Sequence, residues 1–353
     1  MSAPQSRLRT PIARQELERR WALVREEIKE AGVDAIISQA ANNLTGTAGH
    51  YRWLTGLSVA SSYLQAVIIP REGAMTLVMH GDHEAVAELA DKDPAFAGIG
   101  RRVTSWGFPG VHYCSGYEGE MLANEVKKGG FKKLGIVQPN TWYAGFYNSF
   151  MDALGRPAVT DMTTRIDRHK AIKSAYEIDM LRAAAKMQDD ILLEIRNHIR
   201  PGMYDYEVMS KGHYLGMLAG SETGYFLGSS GGPGEATLVR RAGEHGRRMK
   251  EGDAIYFQCE NTGPGGYFVH AGRYYTLGKA SQELKDLFGA MVEAQDFTAS
   301  MLEPGASCPE IFRAFNDYME KRGYPPERRV HCHGRSEEHT SELQSHSFIS
   351  YAV

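Results

Sequence analysis

Residues 250–278, KEGDAIYFQCENTGPGGYFVHAGRYYTLG, decide the fold. Gly252 and Asp253 turn the chain into an apolar run from 254 to 259. The segment NTGPGG, 261–266, is dense in turn formers, so the chain should reverse there. Residues 267–277 are dominated by Tyr, Phe and Val and predict the return strand, with Gly272 as its weak spot. The expected hairpin sets Gln258, Cys259, Glu260, His270 and Arg273 at positions that apolar side chains would fill at less cost. By itself this pattern also suits a half-exposed hairpin with an ordinary polar face.

Outward from the hairpin, 353 residues suffice for two domains with separate cores. The chain is 42% hydrophobic and 24% charged, as globular proteins are. A net charge of -3 and the lack of a long basic run argue against nucleic acid or an anionic membrane as partner. The start, MSAPQSRLRT, has no apolar core for a signal peptide, and no run of apolar residues is long enough to span a bilayer. Cys114, Cys259, Cys308 and Cys332 are scattered without CxxC spacing, which fits free thiols in a reducing, cytoplasmic setting.

Toward the amino terminus, Leu17, Trp21, Val24 and Ile28 recur at steps of three and four, the stripe of a helix over 14–31 that Gly32 ends. A buried strand is expected at 33–38, a loop over 42–56, and two strands at 64–70 and 74–79 joined through Arg71, Glu72 and Gly73. Helical runs are expected at 82–90 and 117–128, a strand at 133–138, and a helix from an N-cap at Asn140 to Leu154. Strands alternating with helices predict an α/β domain over 12–162. The polar, basic stretch 163–173, TTRIDRHKAIK, reads as a linker. Ser174 with Glu177 forms a capping box, and Ile178, Leu181, Ala184, Ala185, Ile191, Leu192 and Ile195 carry that helix to about Ile199.

One repeat is visible. IRPGMYDYEV at 199–208 and LEPGASCPEI at 302–311 share the pattern apolar-x-Pro-Gly, four residues, Glu, apolar. Each follows one amphipathic run and leads into another, at 206–219 and 309–322, so two copies of a helix-turn-helix unit are expected. Between the copies, YFLGSSGGPGEATLVRR at 225–241 is a short strand running into a glycine-rich loop. It lacks the residue patterns that cradle phosphate. His245 stands in a charged turn, EHGRR, and reads as a solvated surface residue.

The hairpin frame of Gly252-Asp253, Tyr267, His270 and Arg273, the entry helix AIKSAYEIDMLRAAAKM and the paired Pro-Gly connectors resemble the peptidase M24 family. That family includes methionine aminopeptidases, Xaa-Pro peptidases and creatinases. The resemblance implies a pita-bread α+β catalytic domain over 174–334, a pseudo-twofold duplication that fits the repeat. YRWLTG at 51–56 is similar to a turn in the family's amino-terminal domain, which caps the active site, often of the neighbouring subunit in a homodimer. RVHCHG at 329–334 resembles a family strand, with His333 as the family histidine. Beyond it, RSEEHTSELQSH resembles a translated sequencing-adapter oligonucleotide. Residues 335–353 are therefore expected to be a non-native tail, the catalytic domain to be incomplete at its carboxyl terminus, and the 353-residue chain to be inactive.

In metal-dependent members each hairpin strand carries an Asp that binds one of two metal ions. The matching positions here, Cys259 (to within one residue) and His270, are not carboxylates. The position of a family histidine that polarises substrate holds Glu235-Ala236. The resemblance thus points to a creatinase-like hydrolase of a small C–N substrate, without metal, using His270, His333, Glu235 and Glu260 as acid–base groups. Creatinase has Asn-Cys where this chain has Gln258-Cys259. Arg273 and Tyr267 are the expected substrate-binding residues, Arg273 through a bidentate carboxylate contact or, equally, as a strand arginine paired to an acid. Cys259 as a nucleophile is disfavoured, because buried thiols are inert. Two alternatives stay open: an Xaa-Pro peptidase-like metalloenzyme holding Mn, Fe or Zn, and a binding protein without activity. The expected partner is a small molecule or short peptide.

Overall fold

The computed structural model describes residues 10–40, 49–59, 63–89, 94–235, 237–241, 244 and 246–328. Helix α1 (Arg14–Glu30) buries the stripe read from the sequence, Leu17, Trp21, Val24 and Ile28. It also buries Arg20, which donates to Glu16 at 2.8 Å and to the Trp53 carbonyl at 3.0 Å. Trp21 Nε1 donates to the Leu54 carbonyl at 2.7 Å. These bonds seat α2 (Gly49–Thr55), a helix where a loop was expected. Every residue of α2 is buried, so packing supplies the helix that its seven residues could not sustain alone.

Seven strands follow in a mixed sheet: β1 (Ala35–Gln39), β2 (Gln65–Pro70), β3 (Met75–His80), β4 (Val86–Glu88), β5 (Ile99–Ser105), β6 (Leu134–Val137) and β7 (Val159–Asp161), in the order β4-β5-β3-β2-β1-β6-β7. The β2–β3 hairpin is antiparallel, whereas β1–β6, β3–β5 and β6–β7 are parallel. Helices α3 (Tyr117–Lys128) and α4 (Ala144–Ala153) close one core through Leu122, Val126, Phe146 and Phe150 against Ile37, Ile68, Val78 and Ile136.

Three further expectations fail in this unit. Residues 82–90 contain a strand, β4, instead of a helix, because β5 offers it a ladder and Arg101 pairs with Glu88 across it. Asn140 sits in a single 3-10 turn, Pro139–Thr141, and α4 starts only at Ala144, with no side-chain cap from Tyr143. The basic stretch 163–173 is no linker but holds helix α5 (Thr163–Ala171). Its Arg165 and His169 both bond Glu27 of α1 at 2.8 Å, and Ile166 is buried. The chain divides into two units between Ile172 and Lys173.

The second unit opens with α6 (Ala175–His198), started by the capping box of Ser174 and Glu177. Helix α7 (Asp205–Leu218), strands β8 (Gly224–Gly231), β9 (Ala254–Thr262) and β10 (Phe268–Thr276), and helices α8 (Gln282–Ala299) and α9 (Cys308–Glu320) follow. The strands form an antiparallel sheet in the order β10-β9-β8. The α6 and α7 residues Ile191, Ile195, Val208 and Met209 pack on Phe226, Ile255, Phe257 and Cys259. Both Pro-Gly pairs join two helices, with Gly202 and Gly305 at φ of +95° and +87°, a backbone region open to glycine. The repeat is thus real at the level of helix-turn-helix units. His245, His333 and the tail 335–353 lie outside the described residues. Among the described residues no helix is long and apolar enough to cross a membrane.

Candidate active site

The hairpin forms as its sequence dictates. Gly263, Pro264, Gly265 and Gly266 make the turn, with Gly265 and Gly266 at φ of +72° and +80°. A Cβ at Gly263 would lie 2.4 Å from the Ala184 side chain of α6, so only glycine lets the turn approach that helix. Gln188 of α6 pins the strands with bonds to Asn261 Oδ1 at 2.9 Å and the Val269 carbonyl at 2.7 Å.

At the entry, Asp253 is fully buried and grips the Arg247 guanidinium with both oxygens while accepting from the Lys250 amide at 2.8 Å. The Arg247 hydrogen bonds hold its carboxyl below the usual range against the opposing effect of burial. Asp205, also buried, accepts from the Ser230 amide and hydroxyl and the Arg247 amide. The GD pair at 252–253 is therefore an anchor for β9.

Strand register sorts the polar residues into two faces. Residues directly opposite in a ladder share a face. On β9–β10 the pairs are Glu260 with His270, Gln258 with Gly272 and Tyr256 with Tyr274; on β8–β9 they are Tyr225 with Glu260 and Leu227 with Gln258. Tyr225, Tyr256, Gln258, Glu260, His270 and Tyr274 therefore share one face. Cys259 alternates to the other, into the core beside Phe226 and Phe257.

A hydrogen-bonded row runs along the polar face. The Tyr256 hydroxyl donates to Gln258 Oε1 at 2.8 Å, and Gln258 Nε2 donates to Glu260 Oε2 at 3.0 Å. Gln258 and Glu260 are only 7% and 6% exposed. Burial, then the neighbouring Tyr274 and Glu260, push the Tyr256 phenol upward, so it stays a donor. On the far side of Glu260, the Arg241 guanidinium lies 4.6 Å from the Tyr225 ring centre. The segment carrying Arg241 is tied to β8 by the Gly228 amide on the Arg240 carbonyl and by Ser229 Oγ bonded to both backbone groups of Leu238.

The expected site residues separate accordingly. Glu260 and His270 come together. Glu235 does not join them: it follows the end of β8 that pairs with Ala254, about 20 Å along the strand from Glu260, and closes its own turn on the Gly232 amide at 2.6 Å. Tyr267 is fully buried, its hydroxyl 3.4 Å from Glu177, so it ties the hairpin to the start of α6. Arg273 lies on the Cys259 face and reaches Asp189 of α6 at 3.7 Å, the paired-arginine alternative. Burial pushes the Cys259 thiol far up, which leaves it a protonated core group. The sequence reading missed Tyr256, Tyr225 and Arg241; the period of two through Tyr256, Gln258 and Glu260 was the signal available for the first.

Residues 20–172 match the Creatinase/Prolidase N-terminal domain, and residues 179–348 match metallopeptidase family M24. The chain carries a metallopeptidase family M24 domain behind a Creatinase/Prolidase N-terminal domain. The uncharacterized hydrolase/peptidase y4tL of Sinorhizobium fredii is 26% identical over 90% of this chain and 79% of its own length. The uncharacterized peptidase YqhT of Bacillus subtilis is 24% identical over 58% of this chain, and the match spans 57% of that protein's length. The fold is that of the Xaa-Pro dipeptidase from Bacillus anthracis, with a TM-score of 0.68 at 20% identity, covering 91% of this chain and 82% of the other. The architecture is therefore an amino-terminal α/β domain followed by an M24 pita-bread domain.

The name of family M24 implies a metal, and the described part of this M24 hairpin does not fit one. Cys259, which lies within one residue of the position expected for a family ligand, is a buried thiol turned into the core, on the face opposite His270. Gln258 aims an amide N–H at Glu260, and an amide nitrogen is a donor, not a ligand. Among the described residues no group of three or more His, Cys, Asp or Glu could hold a metal ion.

Proposed function

We propose that this M24 chain hydrolyses the amide C–N bond of a short peptide of the Xaa-Pro kind, with the polar face of the hairpin as its working surface. The observation that carries the reading is the placement of Glu260 directly across the ladder from His270, with Cβ atoms about 5 Å apart. A carboxylate and an imidazole so placed form an acid–base pair. Glu260 takes a proton from water as its oxygen attacks the carbonyl carbon. His270 gives a proton to the departing nitrogen as the C–N bond breaks. The printed names of the relatives, peptidases and an Xaa-Pro dipeptidase, support a peptide substrate over a guanidino one. The creatinase-like reading stands second, favoured by one observation, the absence of carboxylates at Cys259 and His270. A homodimer and a cytoplasmic location belong to the same proposal.

The test is turnover by the full-length protein of Ala-Pro and Gly-Pro, set against a guanidino acid such as creatine. Cleavage of the dipeptides is expected, with E260Q and H270A each lowering kcat about 100-fold or more. Turnover of the guanidino acid alone would replace the first reading by the second. No turnover of either class would end both.

A further inference from the structure

We propose that Gln258 is a positioning residue for Glu260, and that the row Tyr256–Gln258–Glu260 stands in this hairpin where a divalent-cation cage would otherwise be. The proposal rests on the reading of this face as the working surface. Three observations support it.

The first is direction. Gln258 uses both ends of its amide, accepting from the Tyr256 hydroxyl and donating to Glu260. The phenol fixes which way the amide points, and the amide then presents N–H to the carboxylate. A donor on one oxygen gives the carboxylate a fixed orientation without a metal.

The second is space. Gly272 stands opposite Gln258 in the ladder, and a Cβ there would lie 2.3 Å from the Tyr256 hydroxyl. The glycine that looked like a flaw in β10 is the cavity into which the phenol fits. Neither a bend nor a positive φ demands glycine at 272, so accommodation of Tyr256 is the remaining physical reason for it.

The third is the donor set. Around Glu260 the same face carries Tyr225 and His270 in register, with Gln258 two residues back. Among the described residues, one carboxylate and one imidazole fall short of the three protein ligands of an ordinary catalytic metal site. Replacing the Gln258 amide by a carboxylate would supply the third from the same strand face. The wild-type residue withholds it and contributes a donor instead.

The experiment measures divalent-metal binding to the full-length protein, wild type against Q258E, by calorimetric titration with Mn²⁺ and with Zn²⁺ after exhaustive chelation. Wild type is expected to take up no Mn²⁺ or Zn²⁺ at this face. Q258E is expected to gain one ion, and to lose it again when H270A is added. Stoichiometric uptake by wild type that disappears in E260Q would overturn the proposal, as would a Q258E protein that gains nothing. A second arm reads the positioning role. In Y256F and Q258L kcat for the best dipeptide should fall about 10-fold or more, with KM within twofold and an unchanged melting temperature. A fall that merely follows lost stability, or a change in KM alone, would contradict it. The metal arm needs no turnover, so failure of the peptidase reading and failure of this one are told apart.

Discussion

Two buried carboxylates behave oppositely because their surroundings differ. Asp253 is held by Arg247 and the Lys250 amide, so its carboxyl titrates below its ordinary value of 3.8. The stability it supplies is full above that pH and is lost as pH falls through the lowered value. D253N should therefore cost about 3 kcal/mol at pH 7, because the partner charge is left half-buried, and the deficit should shrink below pH 4 in urea melts. Glu118, in the first turn of α3, has both oxygens buried without a hydrogen-bond partner. Burial pushes its carboxyl above its ordinary value of 4.5, and the nearby Glu118 and Gly107 amides offset only part of that. Its contribution is full below 4.5 and fades as pH rises through the raised value, so E118Q should be more stable than wild type at pH 7 by about 1 kcal/mol. The gain should vanish near pH 4. Neither residue announces this in the sequence: the GD pair gives away a turn, but Arg247 is six residues earlier, and Gly107 meets Glu118 only in the fold.

At the scale of elements, the 250–278 hairpin was legible because turn chemistry and strand composition agree there. Its register was not. A one-residue slip moves a side chain to the opposite face, and the sequence alone left the site position as Cys259 to within one residue. The fold puts both neighbours, Gln258 and Glu260, on the face of His270 and leaves Cys259 in the core. Long-range pairing also defeated the reading of 82–90 and of 163–173, where β5 and Glu27 supply partners that local propensity cannot reveal. Ser174 and Glu177, by contrast, cap α6 as read, because a capping box is closed within four residues. The hairpin turn offers a direct test. G263A would drive a methyl group against Ala184 and should destabilise the second unit by about 1–3 kcal/mol, measured by thermal melting. G272A should instead leave stability nearer wild type while displacing Tyr256 from Gln258, and so should reproduce the kcat loss of Y256F.

For the molecule as a whole, two family domains in the order Creatinase/Prolidase N-terminal then M24 were readable from the entry helix, the hairpin frame and the Pro-Gly repeat. These features depend on spacing along the chain, which a sequence preserves. The chemistry of the site depends on which side chains meet across β9 and β10, and that is set by register and by Gly272. The result is an M24 hairpin whose polar face carries one carboxylate, one imidazole and an amide between carboxylate and phenol. The most direct measurement is anomalous diffraction from crystals of the full-length protein grown in millimolar Mn²⁺. The account predicts no manganese peak within coordination distance of Glu260 or His270, with Gln258 still bonded to Glu260. A peak bridging Glu260 and His270, with the Gln258 amide turned away, would contradict it.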